Sequence, residues 1–178
     1  MRNAIEFSAP LRNTPHRVED GIAAYQAACQ HGDEGVIAKL ADSKYDGGRS
    51  TNWLKFKCVR DQEFVIGGYT APNGSRIKLG ALLIGYQEGR DLVYTGKVGT
   101  GFHEATLRGL HKRLSAIEQD APPFTRGLRH DAGARWVRPE LIAQIGFTEW
   151  TLDGKLRHPR YQGLRTDKDA GDVVRETR

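Results

Sequence analysis

Cysteine and methionine are scarce: two and one in 178 residues. Cys29 and Cys58 lack metal-ligand spacing, so no zinc module is legible. Two isolated thiols predict a reducing compartment and no disulfide framework. No apolar run approaches the roughly 20 residues that span a bilayer. The N-terminus has no basic-then-apolar signal pattern, so a cytoplasmic protein without a membrane partner is expected. Internal repeats and low-complexity tracts are missing. The six histidines form no metal pattern, and Ser, Cys and His form no nucleophilic constellation. Acidic residues are missing from two stretches. Residues 49–60 hold Arg49, Lys55, Lys57 and Arg60 with no acid between them, and residues 155–165 hold Lys155, Arg157, Arg160 and Arg165 likewise. Such runs are where phosphate could bind.

What is present is globular in texture: 38% hydrophobic, 28% charged, net charge +5, mean hydropathy -0.58. The length allows one domain, or a small domain with part of another. Residues 1–18 are irregular, with Pro10, Pro15 and a candidate strand at 5–7. Asp20 is placed to cap a helix running to about His31. A short apolar strand is expected over 35–40. A Gly47-Gly48 loop and a strand over 53–59 follow, the latter alternating large apolar residues with lysines. After about residue 61 short β-rich runs succeed one another at 63–70, 79–87 and 92–98. Turn chemistry separates them at Asn73-Gly74 and Gly89-Arg90-Asp91. Leu107, Leu110, Leu114 and Ile117 then mark one helix over 103–118. Further strands are expected at 135–137, 141–145 and 147–152. Several short strands with one helix inserted late suggest a small Greek-key barrel of the OB type. The polar residues from about Asp169 are expected to be a loose tail.

Three segments carry candidate chemistry. Glu34-Gly35-Val36-Ile37-Ala38-Lys39 puts a carboxylate and an ammonium at the two ends of an apolar strand. A carboxylate can hold Mg²⁺ and a lysine can neutralise phosphate. The plain alternative is a surface pair flanking a core strand. In Trp53-Leu54-Lys55-Phe56-Lys57, strand alternation puts Lys55 and Lys57 on one face beside Trp53, with Leu54 and Phe56 on the other. Two ammonium groups about 7 Å apart repel unless an anion lies between them. The plain alternative is a solvated strand face. Arg165-Thr166-Asp167-Lys168 offers two cations and a carboxylate within four residues, which a solvated loop also explains.

In order and spacing these segments resemble motifs IV, V and VI of ATP-dependent DNA ligases. The linking sequence resembles one branch, the ligase domain of bacterial non-homologous end-joining ligases. Ala41-Asp42-Ser43-Lys44-Tyr45-Asp46-Gly47-Gly48-Arg49-Ser50, Glu63-Phe64-Val65-Ile66-Gly67-Gly68-Tyr69 and Tyr94-Thr95-Gly96-Lys97-Val98-Gly99-Thr100-Gly101-Phe102 carry that likeness. It covers about residues 5–170. The resemblance implies an α+β chain: a C-terminal remnant of a nucleotidyltransferase (adenylation) domain over 1–60, an OB-fold Greek-key β-barrel over 61–168 ending in motif VI, and a flexible tail over 169–178. It implies a ligase that joins 3′-OH and 5′-phosphate DNA ends in repair and recombination. In this family ATP forms lysyl-AMP, and AMP then passes to the 5′-phosphate.

Residue by residue, the resemblance implies that Glu34 is a carboxylate of the nucleotide site and ligand of Mg²⁺ or Mn²⁺. Lys39 would lie near the nucleotide, and Lys55 and Lys57 would contact the α-phosphate. Asp167 and Lys168, with Arg165, would orient pyrophosphate. Implied partners are ATP, nicked or broken duplex DNA gripped by its backbone, and the upstream ligase half; the implied location is the cytoplasmic nucleoid. The K-x-D-G motif of the nucleophilic lysine, the ribose-binding arginine region and the motif III aromatic all lie upstream in this family and are not among these residues. Lys44-Tyr45-Asp46-Gly47 spells K-x-D-G, but in the loop after motif IV. The 178 residues alone are therefore not expected to self-adenylylate. A non-catalytic OB-fold DNA-binding module is the competing reading, and an mRNA-capping or RNA-ligase relative is a more distant one.

Overall fold

A computed structural model describes residues 16–176 except 46, 49, 73–77 and 129–132. The expected strand at 5–7, the turn at Asn73-Gly74, and Arg49, Asp46 and His130 lie outside the described residues. The chain divides into two compact units, Met1–Cys58 and Val59–Arg178.

In the first unit, helix α1 spans Gly21–His31. Asp20 stands at its N-cap as expected, but its side chain makes no capping hydrogen bond. Gly32 ends the helix in the left-handed region at φ 88°, where its N–H reaches the last carbonyls. Strands β1 (Gly35–Lys39) and β2 (Trp53–Lys57) then pair antiparallel. Gly35 is required where it stands. Its φ is +144°, and a Cβ there would fall 2.0 Å from the Phe56 carbonyl oxygen.

The second unit is a curved antiparallel sheet. Strands β3 (Arg60–Thr70), β4 (Leu82–Glu88) and β5 (Asp91–Val98) form a meander. Helix α2 (Glu104–Ser115) follows, then β6 (Glu118–Gln119) and the long β7 (Ala134–Phe147). The hairpin β8 (Glu149–Trp150) and β9 (Leu156–Arg157) leads to β10 (Arg160–Arg165). The strand order is β10-β7-β3-β4-β5, with β6 on β7. The two edges meet where the Tyr161 N–H donates to the Thr100 carbonyl at 2.9 Å and Phe102 stacks on Tyr161. Gly101, φ +91°, allows that closure, since a Cβ would sit 2.2 Å from the Tyr161 oxygen. A five-stranded Greek-key barrel with its helix between the third and fourth barrel strands is the OB fold.

Both faces of β3 are covered, which is why Phe64, Val65 and Ile66 run without a polar break. Phe64 and Ile66 pack inward with Leu82, Ile84, Leu110 and Leu114. Val65 packs outward with Leu83, Phe124, Ile142 and Val173. Helix α2 inserts the leucine stripe the sequence predicts: Leu107, Leu110 and Leu114 are buried. The strands expected at 135–137 and 141–145 belong to one strand, since β7 runs through Pro139 with a bulge: its pairing with β3 jumps from Leu141 opposite Ile66 to Trp136 opposite Gly68. The expected loose tail is instead docked through residue 176. Val173 is buried, its carbonyl accepts from the Gln87 N–H at 2.7 Å, and Gln62 Nε2 donates to the Val174 carbonyl at 3.1 Å. One apolar residue and a few backbone bonds outweigh the polar composition there.

Candidate functional site

The candidate residues fall into two constellations, one in each unit. In the first, the β1–β2 register sets Gly35 opposite Lys57, Ile37 opposite Lys55 and Lys39 opposite Trp53. Alternation then gives Ile37, Lys39, Trp53, Lys55 and Lys57 one shared face, of which the sequence predicts Trp53, Lys55 and Lys57. The anion that two neighbouring lysines need is Glu34 itself. Lys55 Nζ donates to Glu34 Oε1 at 2.8 Å, and Lys57 Nζ stands 3.2 Å from the same oxygen. The Lys55 hydrogen bond, and then that of Lys57, hold the Glu34 carboxyl below its ordinary value. Lys39 turns from this cluster to the aromatic at the far end, its Nζ 4.0 Å from the Trp53 ring centroid. Tyr45 meets the Trp53 ring edge-on. All of these polar groups are exposed to solvent, so an incoming phosphate can compete for the two ammonium groups.

The second constellation lies at the end of β10. Arg165 takes Asp167 through both ends of its guanidinium, Nε to Oδ1 at 2.8 Å and Nη2 to Oδ2 at 2.7 Å. That fork holds Asp167 far below the usual carboxylate range and raises Arg165 further. Arg165 also donates to Gln144 Oε1 at 3.1 Å and lies 3.2 Å from Glu63 Oε1. Lys168 Nζ donates to Glu63 Oε2 at 2.7 Å, which raises its pKa. Glu63 is only 14% exposed and so anchors both cations from β3.

Sequence reasoning missed Glu63 and Gln144. They are separated by 81 residues yet face each other in the β3–β7 register, and no local spacing announces that. It also missed that the segment before Arg165 is a strand rather than a loop. The expectation of two isolated thiols is overturned: Cys29 and Cys58 are bonded, with Cα atoms 5.3 Å apart. Their 29-residue separation gave no hint, because α1 and β2 meet only once β1 has paired. Among the described residues no group of three or more His, Cys, Asp or Glu side chains could hold a metal on its own.

A lysine pair on a strand face with its own counter-carboxylate, followed by an OB barrel ending in a cationic strand, defines a class. The model for the C-terminal region of ATP-dependent DNA ligases matches residues 75–168, more than half the chain, and the chain belongs to that family. It is 40% identical over 172 residues to the multifunctional non-homologous end joining protein LigD of Pseudomonas aeruginosa, a match covering 94% of this chain and 20% of that protein. It also resembles the crystal structure of the ligase domain of Mycobacterium tuberculosis LigD, with 41% identity and a TM-score of 0.65, over 88% of this chain and 52% of that one. A mycobacterial DNA ligase D complexed with ATP and MES gives 40% identity and a TM-score of 0.62 over the same shares. The chain thus spans about a fifth of the first curated relative and about half of a solved ligase domain. The expected fold, the end of a nucleotidyltransferase domain followed by an OB barrel, is the one observed.

Proposed function

We propose that this chain is the C-terminal working part of an ATP-dependent ligase that seals 3′-OH and 5′-phosphate DNA ends through an AMP intermediate. The observation that carries the reading is the Glu34–Lys55–Lys57 cluster: two ammonium groups converging on one carboxylate oxygen at 2.8 and 3.2 Å on an exposed sheet face. Phosphoryl transfer depends chiefly on positioning and on charge stabilisation. A phosphate entering this face displaces the lysines from Glu34 Oε1, and the pair then shares its negative charge. Lys39 over Trp53 adds a cation and a ring face at the far end of the strand, suited to a nucleotide. The related mycobacterial ligase bound to ATP supports ATP as the nucleotide.

Glu34 fits Mg²⁺ or Mn²⁺ in the sparing way such ions bind near phosphates, through one carboxylate and the substrate oxygens. Both lysines take Oε1, so Oε2 lies outside that pairing. A divalent ion held there would supply further charge neutralisation for the triphosphate. In the second unit, Arg165, Asp167 and Lys168 act on the departing pyrophosphate. Glu63 holds the two cations ready until that stronger anion replaces it. The barrel surface grips duplex DNA by its backbone, a salt-sensitive contact without sequence preference. Ligase chemistry puts the chain with the chromosome, in the cytoplasm. No helix among the described residues is long and apolar enough to cross a membrane.

The lysine that accepts AMP comes from an upstream nucleotidyltransferase half. Exposed Ile22, Leu54 and Phe56 of the first unit support such a partner, since they leave apolar surface to be covered. The test is self-adenylylation with labelled ATP and Mg²⁺, read by gel and intact mass. The chain alone should take no AMP. Mixed with the matching upstream half of a related ligase domain it should, and Lys55→Ala with Lys57→Ala should cut the yield about 100-fold or more. AMP on the isolated chain, at Lys44 or elsewhere, would overturn the division of labour. DNA binding with no adenylylation in any mixture would favour a binding module instead.

A further inference from the structure

The disulfide lands on the phosphate site. Cys29 lies in the last turns of α1, and Cys58 follows directly on Lys57 at the end of β2. The Cys58 N–H donates to the Glu34 carbonyl at 2.9 Å. One helical turn before Cys29, the Tyr25 hydroxyl donates to the Lys57 carbonyl at 3.1 Å. So α1 is fastened to the end of β2 at two points, one covalent and one a single hydrogen bond. Behind them there is little else, because no described residue of this unit is fully buried. A unit with no fully buried side chain among its described residues draws an unusual share of its order from a covalent link. Both cysteines are partly exposed, within reach of small thiols and disulfides.

We propose that Cys29 and Cys58 are a redox-modification site that sets how firmly the Glu34–Lys55–Lys57 cluster is held, the reagent being a low-molecular-weight disulfide of the glutathione class. One cysteine thiolate attacks a sulfur of the small disulfide, giving a mixed disulfide and releasing one small thiol. The second cysteine thiolate attacks the protein sulfur of that mixed disulfide. The Cys29–Cys58 bond forms and the second small thiol leaves. Two electrons pass from the protein thiols to the small disulfide, and the two thiol protons end on the released thiols. Oxidation clamps α1 to β2. Reduction leaves the Tyr25 hydrogen bond and the β1–β2 ladder to hold the lysines. In a reducing compartment the pair rests as thiols, and the bonded form is the oxidised end of the switch. That the clamped site receives nucleotide phosphate rests on the reading above; the redox control of its order does not.

The full chain is equilibrated in glutathione buffers of graded ratio, its free thiols trapped with iodoacetamide, and its mass and amide hydrogen exchange read. The expected masses show either two trapped thiols or none. Reduction should speed exchange in residues 21–58 about 10- to 100-fold, while 62–70, 82–98 and 141–147 stay unchanged as an internal control. Reduction of the natural chain needs no substitution, and Cys29→Ser should exchange like the reduced chain in every buffer. Two glutathione adducts without pairing would overturn the proposal, as would pairing that leaves exchange in 21–58 unaltered. Titration with AMP, followed by amide shifts over 34–57, separates the two readings. Tighter binding by the oxidised chain supports both. A redox-dependent exchange with no AMP response in either form keeps the redox site and removes the nucleotide reading.

Discussion

Ile66, Leu82 and Leu110 in the barrel are almost wholly out of water, whereas Ile22, Ile37 and Leu54 in the first unit are each more than half exposed. The barrel closes its edges and fills its interior with one leucine-striped helix. Among its described residues the first unit has a two-stranded sheet, one helix, a disulfide and an ion cluster. The lysine pair proposed to meet nucleotide phosphate sits on the piece with less order of its own, while the cations proposed for pyrophosphate sit on the barrel with the buried core. Low local stability is where moving and ligand-ordered parts of proteins are usually found.

Substitution of core residues breaks this comparison most sharply. Leu110→Ala should destabilise the barrel by about 2–5 kcal/mol, read by thermal or denaturant unfolding. Ile37→Ala, at an exposed site, should stay within about 0.5 kcal/mol. Equal effects would mean that the first unit has a core after all. Next in size is Gly35→Ala. The added Cβ meets the Phe56 carbonyl and the backbone φ is unfavourable, a strain of about 1–3 kcal/mol. Faster amide exchange across β1 and β2, with the barrel untouched, is the expected result.

How much of this was legible in the sequence follows the same division. Lys55 and Lys57 could be put on one face because strand alternation is local and strict, and Trp53 came with them. Leu107, Leu110 and Leu114 announced α2 through helical spacing. Glu63 did not announce itself, because its partners are 102 and 105 residues away and only the β3–β7–β10 pairing brings them close. Cys29 and Cys58 misled for the same reason: two cysteines without a motif read as free thiols until the strand between them is paired. The docked segment after Asp169 was hidden by its composition, since a single buried Val173 fixes it.

Glu63→Gln sharpens the contrast between the two constellations. Lys168 loses the carboxylate that raises its pKa, so its titration, followed by side-chain ¹⁵N shifts, should move down. The partners Arg165 and Lys168 are more than a third exposed, so the stability cost should be no more than about 1 kcal/mol. Arg165 should keep its fork on Asp167. An unmoved Lys168 would mean that Glu63 does not govern it.

The smallest effect is that of acid, and its sign follows from the shifts. Glu34 is depressed in the folded chain by Lys55 and Lys57, and Asp167 is depressed much further by Arg165. A depressed carboxylate contributes its stabilisation above its unfolded pKa and loses it as pH falls through the folded one. For Glu34 the loss begins below the ordinary glutamate value of about 4.3, so the lysine pair should part from it while the Arg165–Asp167 fork is still closed. Carboxyl carbon shifts recorded from neutral pH downward should therefore show Glu34 titrating first and Asp167 last. Because Glu34 is exposed, salt should raise its titration toward the ordinary value by screening its lysines, and so widen the gap. Asp167, held in a two-point fork, should respond less to salt. If Asp167 titrated first, the order of strength assigned to the two constellations would be reversed, and the barrel would hold the looser of the two ion clusters.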